Sequence, residues 1–276
     1  MRVGSHLPQY GRMAGTDAIT RAARHAEALG FSDVWVSDHI VHPASQSYPS
    51  PRLYDPLTTL TWAAASAPTI GLGTSVLVLP QHNALALANS LASLDALSGG
   101  RLTIAAGVGW SKAEFDALQW PFENRGRRMD EIIRVLRTCW NEDPASFHGE
   151  FWNFDDLRVL PKPAHPIPIW IGGSSERAYR RGVELGDGFQ LIGITPEQAV
   201  EPIRRLREVR PDESFTISLR TGWDPLGMEP DLIRRELDEF AAAGIQHVVS
   251  APWRTSLDEW LQSMERLAEI TGLEPR

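Results

Sequence analysis

The stretch LGFSDVWVSDHIVHP, residues 29–43, holds a helix stop, a short apolar strand and, where that strand ends, an acid beside an imidazole. Upstream of it Ile19, Ala22, Ala23, Ala26 and Leu29 recur at helical spacing, and Gly30 suits the left-handed residue just past a helix end. Val34-Trp35-Val36 reads as a buried strand, and polar residues begin only at Ser37, Asp38 and His39. In a sheet of strand–helix repeats, a backbone buried on both faces first meets a cavity at the carboxyl ends of its strands, so chemistry collects there. Asp38 and His39 are therefore the leading catalytic candidates. His39 can exchange a proton near neutral pH, and Asp38 can orient its ring or bond a ligand amide. The competing reading is a histidine with purely structural hydrogen bonds.

Working outward, strand and helix patterns alternate along the whole chain. Val3 to Leu7 is a first strand, succeeded by a glycine-bearing loop (Tyr10, Gly11, Gly15) and the helix that stops at Gly30. His42 to Tyr54, with prolines at 43, 49 and 51, is too long for an ordinary βα turn, and Asp55-Pro56 then opens a helix with an acid cap and a proline at the first position. Ile70 to Leu79 (IGLGTSVLVL) is apolar on both faces, as a parallel strand inside a barrel must be. Next come a helix with Leu87, Leu91, Leu94 and Leu97 in register, a strand from Leu102 to Ala106 and a helix over about Gly126 to Trp140. Residues 141–166 lapse into short aromatic pieces that read as a hairpin excursion.

Strands at Ile169–Ile171, Gly188–Ile192, Thr216–Arg220 and His247–Ser250 complete the series, each leading into a helical pattern. Thr195-Pro196-Glu197-Gln198 and Ser256-Leu257-Asp258-Glu259 are both capping-box sequences. The tally of eight strands and eight helices favours an α/β (β/α)8 barrel, a single TIM-barrel domain over 1–276 with insertions near 41–54 and 141–166, over an open sheet.

Bulk properties agree with one such domain: 276 residues, 42% hydrophobic, 22% charged. Lys and Arg number 27 against 35 Asp and Glu, a formal charge of -8, which argues against nucleic acid or an anionic membrane as the main partner. One cysteine, Cys139, permits no internal disulfide, and neither a signal-peptide pattern nor a membrane-length apolar run is evident, so a cytoplasmic protein is expected.

The residues just past each strand supply the other candidates. Trp110, Trp223, Trp253 and His82 suggest a mouth lined by aromatic side chains, suited to a flat ligand; the same tryptophans could instead plug the barrel end. Gly172-Gly173-Ser174-Ser175 at a strand-to-helix turn offers free amides, two hydroxyls and a helix N-terminus for a phosphate, although an ordinary capped turn has the same sequence. Gly107-Val108-Gly109 is a lone G-x-G and indicates only close backbone approach. His39 and His42 are three apart with no third ligand nearby in sequence, so no metal site is expected.

The segments EALGFSDVWVSDHI (27–40), IGLGTSVLVLP (70–80), LDALSGGRLTIAAGVGW (94–110) and PIPIWIGGSS (166–175) together resemble the luciferase-like monooxygenase superfamily, in particular its coenzyme F420-dependent oxidoreductases. The resemblance implies a (β/α)8 barrel with a flavin-type ring at the carboxyl ends of the strands. By position it sets Asp38 and His39 beside the deazaflavin ring and a non-proline cis peptide within Thr74-Ser75-Val76. It makes Gly107, Val108 and Gly109 backbone neighbours of the cofactor and Gly172 to Ser175 its phosphate cradle. Two departures stand out: sugar-phosphate dehydrogenases of this branch have a glutamate where Trp110 stands and a tryptophan near Pro43. A bulkier, less polar substrate is expected in consequence.

The sequence thus points to an oxidoreductase passing a hydride between F420 and an unidentified small organic substrate. An FMN-dependent two-component monooxygenase and a non-catalytic flavin-binding barrel are the alternatives. The family commonly dimerises through barrel-side helices, which makes a homodimer the expected assembly.

Overall fold

The computed structural model describes residues 1–46, 50–251 and 254–275. The first half contains β1 (Arg2–His6), α1 (Thr16–Ala28), β2 (Asp33–Val36), α2 (Pro56–Ser66), β3 (Gly71–Val78), α3 (Ala84–Ser98), β4 (Leu102–Gly107), α4 (Lys112–Ala117) and α5 (Arg125–Asn141). An antiparallel hairpin comes next, β5 (Ala145–His148) and β6 (Asn153–Leu157). The second half contains β7 (Ile169–Gly172), α6 (Glu176–Leu185), β8 (Gly188–Ile192), α7 (Pro196–Val209), β9 (Thr216–Thr221), α8 (Pro230–Ala243), β10 (His247–Ser250) and α9 (Leu257–Thr271).

The strands outside the hairpin pair in parallel and close a barrel in the order β1-β2-β3-β4-β7-β8-β9-β10, with β10 returning to β1. The hairpin interrupts the sequence but not the ring, because β4 pairs directly with β7. Every residue of β2 is buried, as expected of a strand covered by helices outside and side chains inside.

Helix ends obey local chemistry. Asp55 accepts from the Thr58 amide at 2.7 Å to open α2, and Thr195 and Gln198 form a complete capping box on α7. At α9 only the Ser256 half is made, its hydroxyl accepting from the Glu259 amide at 3.3 Å. Gly30 takes a φ of +84° after α1, and a Cβ there would fall 2.1 Å from the Glu274 carbonyl oxygen. Leu87, Leu91 and Leu94 bury against the barrel, whereas Leu97, in the same apparent register, faces outward. The extra helix, α4, sits between β4 and α5, where the sequence pattern predicts none.

The barrel interior is filled by Trp35 and Trp170, stacked 5.4 Å apart at 26°, with the His247 ring 5.2 Å from Trp35. Gly73 and Gly4 are glycines for this reason: a Cβ at Gly73 would lie 2.4 Å from the Trp35 ring, and one at Gly4 would lie 2.7 Å from its Nε1. The indole donates to Asp33, whose Oδ1 also accepts from His247 Nε2 at 2.9 Å. From His247 Nδ1 the chain runs to Ser218 Oγ (2.8 Å), from Gln190 Nε2 to Ser218 (3.2 Å), and from Ser75 Oγ to Gln190 Oε1 (2.6 Å). Burial pushes the Asp33 carboxyl up, but the His247 charge and the bonds from His247, Trp35 and Ser32 outweigh it and hold the group below its ordinary value.

Trp35→Ala is expected to cost roughly 3–5 kcal/mol, because it removes a fully buried ring and strips Asp33 of a donor. Chemical denaturation of the two proteins measures this; a loss below about 1 kcal/mol, within the range of ordinary surface substitutions and mild repacking, would mean that the barrel does not depend on this ring.

Candidate active site

A cavity of about 1060 Å³ opens at the carboxyl ends of the strands. Its floor and one wall are built from very small residues around a single branched side chain. Val76 sits where a Cβ on Gly107 would come within 2.6 Å of its Cγ2, and a Cβ on Gly172 within 2.6 Å of its Cγ1. The Ser75–Val76 peptide is cis, and the pairing register of β3 against β4 shifts between Ser75 and Leu77. Val76, Gly107, Val108, Gly109, Gly172 and Gly173 all line the cavity, as do Ser75, Gln190 and Arg220 at its base. Arg220 donates to the Ser37 hydroxyl at 3.1 Å and to the Ser75 carbonyl. Ser37 in turn donates to the same carbonyl at 3.2 Å and meets His6 Nε2 at 3.0 Å.

His39 lies on the cavity wall with its Nδ1 3.0 Å from Glu114 Oε2. Glu114 comes from α4, and its side chain is 1% exposed. Its other oxygen accepts from the Ile40 and Val41 amides at 2.6 and 3.3 Å, so one carboxylate fixes both the imidazole and the backbone beyond it. Burial pushes this carboxyl up, yet the bonds from the His39 ring and the Ile40 amide together bring it below the ordinary 4.5. A neutral ring that donates from Nδ1 to this carboxylate has its lone pair on Nε2. His42 lies ring to ring with His39 at 5.1 Å, and Trp110 packs edge-on at 5.7 Å while remaining 57% exposed at the rim.

Asp38 does not orient His39. Its Oδ2 accepts from the Val78 amide at 2.9 Å and from His82 Nε2 at 2.8 Å, because the side chain leaves β2 towards β3 rather than along its own strand. Its Oδ1 is buried with no partner among the described residues, and Asp38 lines the cavity. His82 therefore stands behind Asp38 and off the cavity wall. Burial lowers its pKa, but the hydrogen bond and charge of Asp38 more than reverse this and raise it.

The other candidates from sequence divide in the same way. Thr74 is buried and donates to the Ala105 carbonyl at 3.1 Å, away from the cavity. Ser174 and Ser175 are exposed beyond Gly173, and the Ser175 hydroxyl caps α6 by accepting from the Ala178 amide at 3.2 Å. Trp223 is buried, donates to Glu236 at 2.7 Å and leaves the cavity wall to others, so its expected place in the substrate pocket is corrected. Trp253 lies outside the described residues. Among the described residues no group of three His, Cys, Asp or Glu side chains is placed to hold a metal, and no helix is long and apolar enough to cross a membrane.

From sequence, Glu114, Ser37, Gln190 and Arg220 do not stand out as cavity residues. For Glu114 a signal existed: Ser111-Lys112-Ala113-Glu114 is a capping-box sequence, and Ser111 Oγ does accept from the Glu114 amide, at 3.4 Å.

The chain has relatives among known proteins. The profile of the luciferase-like monooxygenase family matches residues 1–221. The chain belongs to that family. An uncharacterized protein of Mycobacterium tuberculosis is 31% identical over 207 residues, 70% of this chain and 72% of its own length. The F420-dependent glucose-6-phosphate dehydrogenase of Amycolatopsis mediterranei is 29% identical over 184 residues, 63% of this chain and 52% of that one. The crystal structure of monooxygenase RslO1 from Streptomyces bottropensis superposes with a TM-score of 0.82 over 98% of both chains; at 21% identity that likeness concerns the fold. An oxidoreductase of this family, with a flavin-type cofactor, is the assignment these findings carry.

The carboxylate of Glu114 has a depressed pKa when folded, so its stabilising effect is full above the ordinary value of 4.5 and is lost as pH falls through the lower folded value. Glu114→Gln is expected to cost about 1.5–3 kcal/mol at neutral pH. The gap in melting temperature from the natural protein should then narrow below 4.5. A gap that stays constant into stronger acid would place the stabilisation elsewhere. His82 runs the other way: its contribution is full below 6.5 and disappears as pH rises through its raised value. The melting deficit of His82→Asn should accordingly shrink as pH climbs.

Proposed function

We propose that the protein is an oxidoreductase that moves a hydride between coenzyme F420 and a small organic substrate. The observation that carries this reading is an imidazole, His39, held by a buried carboxylate at the wall of a cavity whose floor is shaped to take a flat ring. The residues present fit a flavin-type group on three counts. Val76 in its glycine cradle offers a ring a flat apolar face. Asp38 Oδ1 is a buried acceptor lacking a partner among the described residues, suited to a ligand N–H. The turn from Gly173 to Ser174 leads into α6, whose N-terminus suits an anion.

When bound, the deazaflavin supplies the carbon that gives or takes the hydride. The chain's own work is positioning and proton handling. Gly173 and Ser174 would hold the phosphate, since the Ser175 hydroxyl is already engaged in capping. His39 Nε2 would take the proton of a substrate hydroxyl in one direction and return it in the other, and Glu114, bonded to Nδ1, would favour the charged ring that results. Trp110 beside His39 covers the reacting region with an apolar edge.

The description of the family as monooxygenases favours a second reading on the same site, an FMN-dependent monooxygenase supplied by a separate reductase. Titrating the purified protein with F420 and with FMN, monitored by absorbance and fluorescence, separates the two. Saturable F420 binding is expected, and saturable binding of FMN alone would overturn the F420 reading. Once a substrate is found by screening oxidised and reduced cofactor against alcohols, aldehydes and ketones, His39→Ala should lower turnover about 10²–10⁴-fold while leaving cofactor affinity nearly unchanged. Undiminished turnover would remove His39 from the chemistry.

A further inference from the structure

His82 is a largely buried imidazole, its side chain 18% exposed, that the proton handling described above does not use. It stands behind Asp38 and off the cavity wall, with Nε2 2.8 Å from Asp38 Oδ2. Its backbone is held on both sides. The His82 amide donates to the Leu79 carbonyl at 3.1 Å, closing the 3₁₀ turn Leu79–Gln81, and Asn83 opens α3 by accepting from the Leu85 and Ala86 amides at 3.1 Å. A hydrogen-bonded junction between β3 and α3 thus delivers the imidazole to Asp38.

Asp38 is the one carboxylate that lines the cavity among the described residues, and its two oxygens are unequally engaged. Oδ2 accepts from the Val78 amide and meets His82, whereas Oδ1 is buried without a partner among the described residues. Val78 lies two residues beyond Val76 on the same strand, so the carboxylate stands beside the flat part of the floor. The charge it presents there depends on the group behind it. With His82 protonated the pair is neutral; with His82 neutral it carries one negative charge. The charged groups around this imidazole come from three elements: Asp38 after β2, Asp55 before α2 and Glu114 on α4. Burial lowers the His82 pKa, but the hydrogen bond and charge of Asp38, and then the charges of Asp55 and Glu114, raise it above 6.5.

We propose that His82, acting through Asp38, sets the charge presented to the cofactor ring and with it the balance between oxidised and reduced cofactor in the cavity. It is a positioning residue, since it touches Asp38 and not the cavity. The inference rests on the flavin-type reading above but not on the choice between F420 and FMN. In the F420 reading a hydride leaves a substrate carbon for the ring, the substrate carbon–oxygen bond becomes a carbonyl, and the hydroxyl proton goes to His39. The ring thereby gains two electrons and one nucleus of unit charge, a net gain of one negative charge. A bare carboxylate beside the ring opposes that gain, and a protonated His82 cancels the carboxylate. Burial leaves the pair little screened by salt. The coupling is reciprocal, so reduction of the cofactor strengthens the hold of His82 on its proton by the same factor.

The test compares the natural protein with His82→Gln, whose amide can still donate to Asp38 but never carries charge. Dissociation constants for the oxidised and the reduced forms of F420 or FMN, whichever binds, are measured without oxygen from about pH 5.5 to about pH 9, the range in which a histidine titrates. Below 6.5 the natural protein is expected to favour the reduced cofactor about tenfold more than His82→Gln does, equivalent to about 30 mV for a two-electron couple. The gap should close as pH rises through the raised His82 value, above which both side chains are neutral. A gap that is absent in the acid range, or that persists unchanged into alkali, overturns the proposal. Proton NMR of the His82 ring without cofactor gives a second reading: it should titrate above 6.5 and fall in Asp38→Asn. A titration unmoved by Asp38→Asn also overturns the proposal, because the two groups then share no charge. Failure of the flavin-type reading looks different: neither cofactor binds saturably to the natural protein, and both readings fall together.

Discussion

Trp35 is the side chain on which the site depends. An eight-stranded parallel ring has an interior just wide enough for side chains to fill, and here one indole stacked on Trp170 occupies much of it. Two glycines on the flanking strands make the room. The indole nitrogen then needs an acceptor, and Asp33 supplies it as a buried carboxylate that His247 must serve in turn. A requirement of packing thus becomes a requirement for a polar chain, which climbs through Ser218 and Gln190 to the hydroxyl of Ser75. Within that chain the Ser75 hydroxyl donates to Gln190 Oε1 and the Gln190 amide donates to Ser218 Oγ, both in the direction of Asp33. Ser75 gives its hydrogen to Gln190 and presents only lone pairs to the cavity above. The barrel core therefore dictates part of what the floor can recognise.

Two imidazole–carboxylate pairs stand near each other above that floor, and they differ in which member lines the cavity. In the His82 pair, Asp38 also holds the Val78 amide, so the pair fixes the strand exit of β3 beside the Val76 platform. In the His82 pair it is the carboxylate that lines the cavity, and in the His39 pair it is the imidazole. The first pair braces the surface on which a ring can lie. The second leaves one ring nitrogen available for proton exchange.

The strands were legible because parallel barrel strands are apolar runs punctuated by glycine, proline and caps, and each such run in the sequence is a strand in the ring. The helices flanking them come from the same spacing and from caps such as Asp55 and Thr195. What the sequence conceals is which strand exits face each other. Asp38 and His39 are neighbours in the chain, which suggests a pair, but successive residues of an extended segment point in opposite directions, and each has its partner on another element. Glu114 escaped notice because α4 spans only six residues, too few to show helical periodicity, even though its cap sequence was in plain view. Gln190 and Arg220 lie within strands, where a polar residue in an apolar run is a signal of a lined cavity or a core network. Trp223 has an aromatic side chain just past a strand, as Trp110 does, and only packing against α8 tells the two apart.

The position of Trp110 explains how this chain departs from the sugar-phosphate dehydrogenases it resembles without losing the means to orient an imidazole. The resemblance implies a glutamate at that place in those enzymes, where this chain has a tryptophan at the rim of the cavity. Four residues later Glu114 gives His39 a carboxylate, but from behind, on a helix whose backbone is capped by Ser111 and whose carboxylate is shielded from the cavity. The arrangement keeps an imidazole bonded to a carboxylate while the residue at the rim beside it is aromatic. Glu114 is thus withdrawn behind the imidazole, and beside His39 the cavity mouth presents the edge of an indole.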